Sequence, residues 1–221
     1  SQNASPASVA TQGVQVVVDY SSCGFTSADQ IIASIFGLEM VYIPQGAFYA
    51  GDRDTSTASL DQGSGDSDPW YINSESALSA SNPASNGYRY VSAGNTGESA
   101  TGSSFTIGAS FPKGYQAFYA MKYELTEGQW VEFINSLPSA AARANHDLTD
   151  NSHKASDTVL ARNAISCSGS PLACSTERPS RALSYLSWMD LAAFLDWAAL
   201  RPVTELEFEK ISRGPALPIN S

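Results

Sequence analysis

The stretch RPVTELEFEKISRGP, residues 201–215, carries the clearest structural pattern in the sequence. Thr204 and Glu207, three residues apart, form a capping box, in which each side chain satisfies a free backbone N–H at the start of a helix. Leu206 falls on the face that such a helix would bury, and Gly214 is placed to end it. The sequence therefore predicts a short capped helix in this stretch.

The charged residues of this stretch also fit a helix. Glu205, Glu207 and Glu209 lie towards its N-terminus, where carboxylates interact favourably with the helix dipole, and Arg213 lies at the opposite end. Arg201 precedes a proline and is placed to pair with one of these carboxylates. We therefore expect the segment to stabilise the fold and to carry no chemistry.

Two other helices are predicted upstream. Thr126 opens a capping box, and Ser187 with Asp190 in the first turn begins the second helix. Trp188 and Trp197 on that second helix are predicted to lie in the core, because they share its apolar spacing. The other positions expected to be buried on the two helices are Trp130, Phe133, Ile134, Leu137, Leu191, Phe194, Leu195 and Ala198.

Short strands are predicted before the helices. Residues 38–49 read as two strands broken at Pro44 and Gly46, and further strands are expected at residues 14–20, 69–72, 88–91, 105–107 and 117–123. The polar stretch 51–102 is predicted to be an elaborated surface region with sparse regular structure, and residues 140–180 are predicted to hold excursions rather than core. Contacts are expected in the polar loops 51–102 and 139–180. Strands followed by helices indicate an α+β fold rather than an alternating parallel sheet.

The composition of the chain favours an extracellular protein. Its net charge of −10, with only four lysines among 221 residues, opposes binding to nucleic acid or to anionic membranes. Residues 1–13 read as a flexible N-terminus left after removal of a signal peptide; the alternative is a cytosolic protein that lacks such a signal. We expect an extracellular or cell-surface location, a flexible N-terminus with a leading β segment in residues 1–37, and the main domain in residues 38–221.

The chain contains three cysteines. Cys167 and Cys174 flank a short Gly/Ser/Pro loop, and in an oxidising compartment they are placed to form a disulfide. The alternative is a pair of unrelated reduced thiols. Cys23 has no evident partner, and no spacing of cysteine and histidine indicates a zinc site.

Three segments together resemble the formylglycine-generating-enzyme family, also called sulfatase-modifying-factor domains. They are EMVYIPQGAFYAGD (residues 39–52), AFYAMKYELTEGQWVEFIN (117–135) and LSWMDLAAFLDWAALRPVTELEFEKISRGP (186–215). The residues of these segments are similar to those of secreted bacterial members of the family. The resemblance implies a C-type-lectin-like fold with long irregular loops, of which this chain would hold the N-terminal part and lack the C-terminal half.

Enzymes of that family hold copper with two cysteines, which the resemblance places after the segment that matches residues 201–215. The chain has no cysteine there, and Cys167 and Cys174 precede the motif. His146 and His153 are predicted to be solvated loop residues, so no three-histidine iron site is expected. No catalytic or cofactor-binding residue is therefore assigned.

One acidic loop is a weak candidate for calcium binding. Asp61, Asp66 and Asp68 offer oxygen ligands within DQGSGDSD, but the loop lacks the full pattern of an EF-hand. The alternative is a solvated acidic loop. No cofactor other than calcium is suggested.

Two functional hypotheses remain. The first is a non-catalytic extracellular binding or assembly module on a formylglycine-generating-enzyme-like scaffold, with a protein or glycan ligand and with another segment or chain completing the domain. The second is a fragment of a metal-dependent oxidase of that family, whose active site lies beyond residue 221. Because function resides in the site rather than in the fold, the resemblance alone does not choose between them.

Overall fold

The computed structural model describes residues 21–26, 28–30, 35–51, 60–62, 69–80, 88–90, 105–148 and 164–219. The chain divides into two units, Ser1–Gly37 and Leu38–Ser221. In the first unit the described part contains a single 3-10 turn, Ser21–Cys23, and the strand predicted at residues 14–20 lies outside the described residues. All elements that follow belong to the second unit.

The second unit contains short strands in four separate sheets. The strands are β1 (Met40–Ile43), β2 (Phe48–Ala50), β3 (Leu60–Gln62), β4 (Trp70–Ile72), β5 (Leu78–Ala80), β6 (Tyr88–Tyr90), β7 (Phe105–Ile107), β8 (Phe118–Met121), β9 (Ile165–Ser168) and β10 (Ala173–Thr176). β1 pairs with β8, β2 with β4, and β9 with β10, while the fourth sheet has the order β3-β6-β5-β7. Every pair is antiparallel except β5 with β6.

The described residues also form four helices, namely α1 (Glu127–Ser136), α2 (Ala140–Asn145), α3 (Trp188–Trp197) and α4 (Glu205–Arg213). The predicted α+β class is therefore confirmed at the level of helices mixed with short, mostly antiparallel strands. The predicted break between β1 and β2 is confirmed as well. The sequence did not predict β3, β5, α2, β9 or β10. Among the described helices, none has both the length and the apolar character that crossing a membrane would require.

The three predicted helix starts are confirmed at their capping residues. Thr126, Ser187 and Thr204 each accept a hydrogen bond from the backbone of the third helical residue, whose side chain accepts one in return. Each box satisfies backbone groups that a helix start would otherwise leave unpaired. At the end of α3, Ala199 adopts a left-handed conformation with φ of 54°, which a helix end commonly requires and which glycine adopts with less strain.

One hydrophobic core lies between α1, α3 and the β9–β10 hairpin. Its buried side chains are Trp130, Phe133, Ile134, Leu148, Ile165, Cys174, Phe194 and Leu195. Trp197 packs against this cluster, which confirms the prediction for that residue. Because Leu148, Ile165 and Cys174 lie in the core, the prediction that residues 140–180 form only surface excursions is wrong for its described part.

A second core lies between the β2–β4 ladder, β5 and α4. It consists of Phe48, Ala50, Trp70, Ile72, Leu78, Ala80 and Leu206. Trp188 belongs to neither core, since its side chain is 64% exposed, and the prediction that it is a core residue is wrong. It is the first residue of α3, where the packing of the helix against its neighbours does not cover it.

Candidate binding surface

The β1–β8 ladder presents an aromatic face. Its register places Tyr42 opposite Tyr119 and Met40 opposite Met121. Because side chains alternate between the two faces of a strand, these four side chains share one face. The rings of Tyr42 and Tyr119 lie 5.4 Å apart, and the two side chains are 55% and 64% exposed. We call this set the tyrosine–methionine face.

Within the described part of the chain, the backbone pairing leaves the outer edge of β1 open. The N–H of Lys122 donates to the carbonyl of Glu39 over 3.0 Å, and hydrogen-bonded pairs alternate with non-hydrogen-bonded pairs along an antiparallel ladder. Met40 and Tyr42 therefore direct their own N–H and C=O groups away from β8. Among the residues that the structure describes, β1 pairs with β8 alone.

Both faces of β1 carry an exposed apolar side chain. Tyr42 lies on the tyrosine–methionine face, and Val41, 40% exposed, lies on the opposite one. On β8 only one face is accessible in this way, because Ala120 on the face of Val41 is buried. The open side of β1 is therefore the more accessible edge of the ladder.

A cation already lies against an aromatic ring beside this ladder. The ammonium of Lys122 is 5.1 Å from the ring centroid of Tyr123 and forms an ion pair with Glu39. The hydrogen bond that Lys122 donates to Glu39 raises the pKa of that lysine. The arrangement is a surface cation–π contact of the kind that lysine and arginine make with tyrosine.

Helix α4, by contrast, is held by a buried lysine against two loop segments of the same chain. Lys210 donates hydrogen bonds to the carbonyls of Pro44, Gly46 and Gly114 over 2.8, 3.1 and 2.6 Å. Burial lowers the pKa of Lys210, while the carboxylate of Glu75 opposes that shift. The ammonium is fully engaged by backbone acceptors, so its role is structural.

Two more charged residues of α4 cover the edge of β2. Arg213 donates to the carbonyls of Tyr49 and Gly51 over 3.1 and 2.9 Å. The carboxylate of Glu209 accepts from the N–H of Gly51 and from Arg213. Backbone groups that would otherwise face outward are thereby satisfied by side chains.

The predicted pairing of Arg201 with a helix carboxylate is confirmed. Its two guanidinium nitrogens donate to the two oxygens of Glu207 over 2.8 and 2.6 Å. Glu207 is almost completely buried. Burial alone would raise its pKa, but the hydrogen bonds from Arg201 and Thr204 outweigh burial and lower the pKa of Glu207 below its ordinary value. The prediction that this segment stabilises the fold thus agrees with its contacts.

His146 is not the solvated loop residue that the sequence indicated. It ends α2, and its Nδ1 lies 3.0 Å from the carboxylate of Asp190. Its ring also packs against Trp130 and Phe133. The buried Asp190 therefore links the end of α2 to the capping box of α3. His153 lies outside the described residues.

The β9–β10 hairpin is held by a disulfide and by a buried carboxylate. Cys167 and Cys174 are opposite one another in the register and their sulfurs are bonded. Glu127, fully buried on α1, accepts hydrogen bonds from the hydroxyl of Thr176 and the N–H of Ala164. Asn135 adds two hydrogen bonds to the backbone of Cys174. These contacts fix the hairpin on α1.

The calcium candidates lie largely outside the described part of the chain. Asp61 is in β3, but its side chain is not described, and Asp66 and Asp68 are not described at all. Within the described residues, no three His, Cys, Asp or Glu side chains are grouped to hold a metal ion. The possible calcium site stays a prediction.

Comparisons with known proteins add no relative. No protein-family model matches the chain, and neither the curated proteins nor the solved structures give a match.

Proposed function

We propose that this chain is a non-catalytic binding or assembly module, located outside the cell or at its surface, and that it binds through the tyrosine–methionine face. The scaffold that fits the motifs of residues 39–52, 117–135 and 186–215 is the C-type-lectin-like fold of formylglycine-generating enzymes. Another segment or chain would complete the domain.

One observation carries this proposal: Tyr42 and Tyr119 are mostly exposed although they are paired. Tyrosine and methionine are enriched at protein interfaces, because they offer a large contact area at a small cost in conformational entropy and, for methionine, an adaptable shape. The charged groups of α4, in contrast, are engaged by neighbouring backbone. The exposed aromatic pair is thus a supported contact point of the described surface.

The test compares the exposed tyrosine pair with one tyrosine of a second cross-strand pair. Wild type and a Tyr42→Ser/Tyr119→Ser variant are probed on a glycan array and on a panel of purified extracellular proteins. Tyr71→Ser is the matched control, because Tyr71 is also a partly exposed tyrosine in a cross-strand pair. We expect ligands of the wild type to bind the double variant at least tenfold more weakly and the control within twofold.

Thermal unfolding of each variant establishes that the fold is kept. Equal binding by the double variant and the wild type would show that the face is not the contact site. Turnover of a thiol-containing peptide in the presence of copper would instead favour the oxidase hypothesis.

A further inference from the structure

We propose that the open edge of β1 accepts an extended, basic polypeptide strand from a partner, which would extend the β1–β8 ladder by one strand. This inference rests on the proposed function, since it names the class of partner for the same face. The occupant is a segment of polypeptide rather than a glycan, because the edge offers a row of backbone donors and acceptors.

The first support is the direction of the backbone groups. Met40 and Tyr42 carry N–H and C=O groups that point away from β8, as the hydrogen bond between Lys122 and Glu39 requires. An extended strand would pair with these groups, whereas a helix or a sugar would not match their spacing. The same groups at the edge of β2 are covered by Arg213 and Glu209, and the described residues contain no such cover for β1.

The second support is the alternation of exposed side chains on β1. Tyr42 on one face and Val41 on the other are both exposed, so alternate residues of an added strand would each meet an apolar neighbour. Side-chain pairs across strands stabilise such an addition by about 0.2–1 kcal/mol each. Since β1 has only four residues, the pairing is expected to be weak and to depend on these contacts.

The third support is charge. The chain has a net charge of −10, and the tyrosine rings attract cations, as Lys122 over Tyr123 shows. A strand that places lysine or arginine beside Tyr42 would gain both the cation–π contact and attraction to the acidic chain. An acidic strand would be repelled.

The experiment uses the full chain and three synthetic peptides. The first alternates lysine and valine over eight residues, with blocked ends. The second replaces each lysine by glutamate, and the third is the lysine peptide with every internal backbone nitrogen methylated, so that neither edge can donate hydrogen bonds. Affinity is measured by calorimetry at low salt and in 0.5 M salt, and amide hydrogen exchange is followed by NMR.

We expect the lysine peptide to bind at least tenfold more tightly than either of the other two, and to lose most of that affinity in high salt. The amides of Met40 and Tyr42 should become protected from exchange. Equal binding of the methylated peptide, equal binding of the glutamate peptide, protection elsewhere only, or no binding at millimolar concentration would each overturn the inference.

The two proposals can fail separately. If the arrays yield a ligand whose binding depends on Tyr42 and Tyr119 while the lysine peptide does not bind, the binding function stands and the added strand is wrong. If the lysine peptide binds with unchanged affinity to the Tyr42→Ser/Tyr119→Ser variant, the edge pairing is not coupled to the face, and the inference as stated is overturned.

Discussion

The β1–β8 and β2–β4 ladders are built alike but are used differently by the fold. Each is a two-stranded antiparallel ladder with a pair of tyrosines facing one another, Tyr42 with Tyr119 and Tyr49 with Tyr71. In β2–β4, the other side chains are buried in a core and the edge is covered by α4. In β1–β8, the tyrosines are exposed and the edge is open. The comparison teaches that neighbours distant in sequence, and not the strand pattern, decide whether such a ladder becomes core or surface.

The largest contrast in unfolding free energy should come from replacing one aromatic side chain in each ladder. Trp70→Ala in β4 removes a fully buried aromatic residue, and we expect a loss of about 3–5 kcal/mol of unfolding free energy. Tyr119→Ala in β8, on the exposed face, should cost less than about 1 kcal/mol. Urea unfolding measures both, and similar losses for the two variants would contradict the distinction between the ladders.

Lys210 of α4 tests what holds the turn that leads into β2 in place. Lys210→Met keeps the length and apolar stem of the side chain but leaves the carbonyls of Pro44, Gly46 and Gly114 without their donor. We expect a loss of about 2–3 kcal/mol. Lys122→Met is the matched control, because its ion pair with Glu39 is exposed, and solvent screening should make its contribution to stability small. Equal effects would mean that the buried contacts are not stabilising.

Opening the covered edge would make the two ladders more alike. Arg213→Met removes the donor to the carbonyls of Tyr49 and Gly51, and we expect a loss of about 1–2 kcal/mol. The uncovered edge should also increase self-association, measured by sedimentation velocity at increasing protein concentration. A variant that stays monomeric over the same range as the wild type would show that Arg213 does not protect this edge.

The smallest effect expected is a change in how stability varies with pH. The pKa of Glu207 is lowered in the folded state, so its contribution is present above the ordinary glutamate pKa of about 4.3 and is lost as the pH falls towards the lowered value. The difference in unfolding free energy between wild type and Glu207→Gln should therefore shrink on acidification from pH 6 to pH 3. A difference for Glu207→Gln that stays constant over this pH range would refute the assignment.

The sequence predicted best what depends on neighbouring residues. The starts of α1, α3 and α4 follow from capping boxes within four residues, and the break between β1 and β2 follows from its proline and glycine. Trp188 was assigned wrongly because helical spacing shows which side chains share a face but not whether another element covers the first turn.

The candidate surface was not predicted, because it depends on strand register. Which residues of β1 and β8 face one another, and which faces stay open, are set by pairing across about 80 residues, as in the contact between Lys122 and Glu39. The pairing of His146 with Asp190 was missed because the two residues lie 44 positions apart and meet only through the packing of α2 against α3. A single tyrosine in each strand, Tyr42 in β1 and Tyr119 in β8, was a signal available beforehand.

The contacts of α4 also determine the order in which parts of the chain can fold. Lys210 reaches Pro44 across 166 positions, and Arg213 reaches Tyr49 across 164. Such separations slow folding, because the intervening chain must be ordered before these contacts are gained. During synthesis β2 would leave the ribosome long before its cover does, and its edge would stay exposed to other nascent chains until α4 arrives. Helix α4, which covers the edge of β2, is thus also the segment whose late synthesis leaves the emerging chain vulnerable to aggregation.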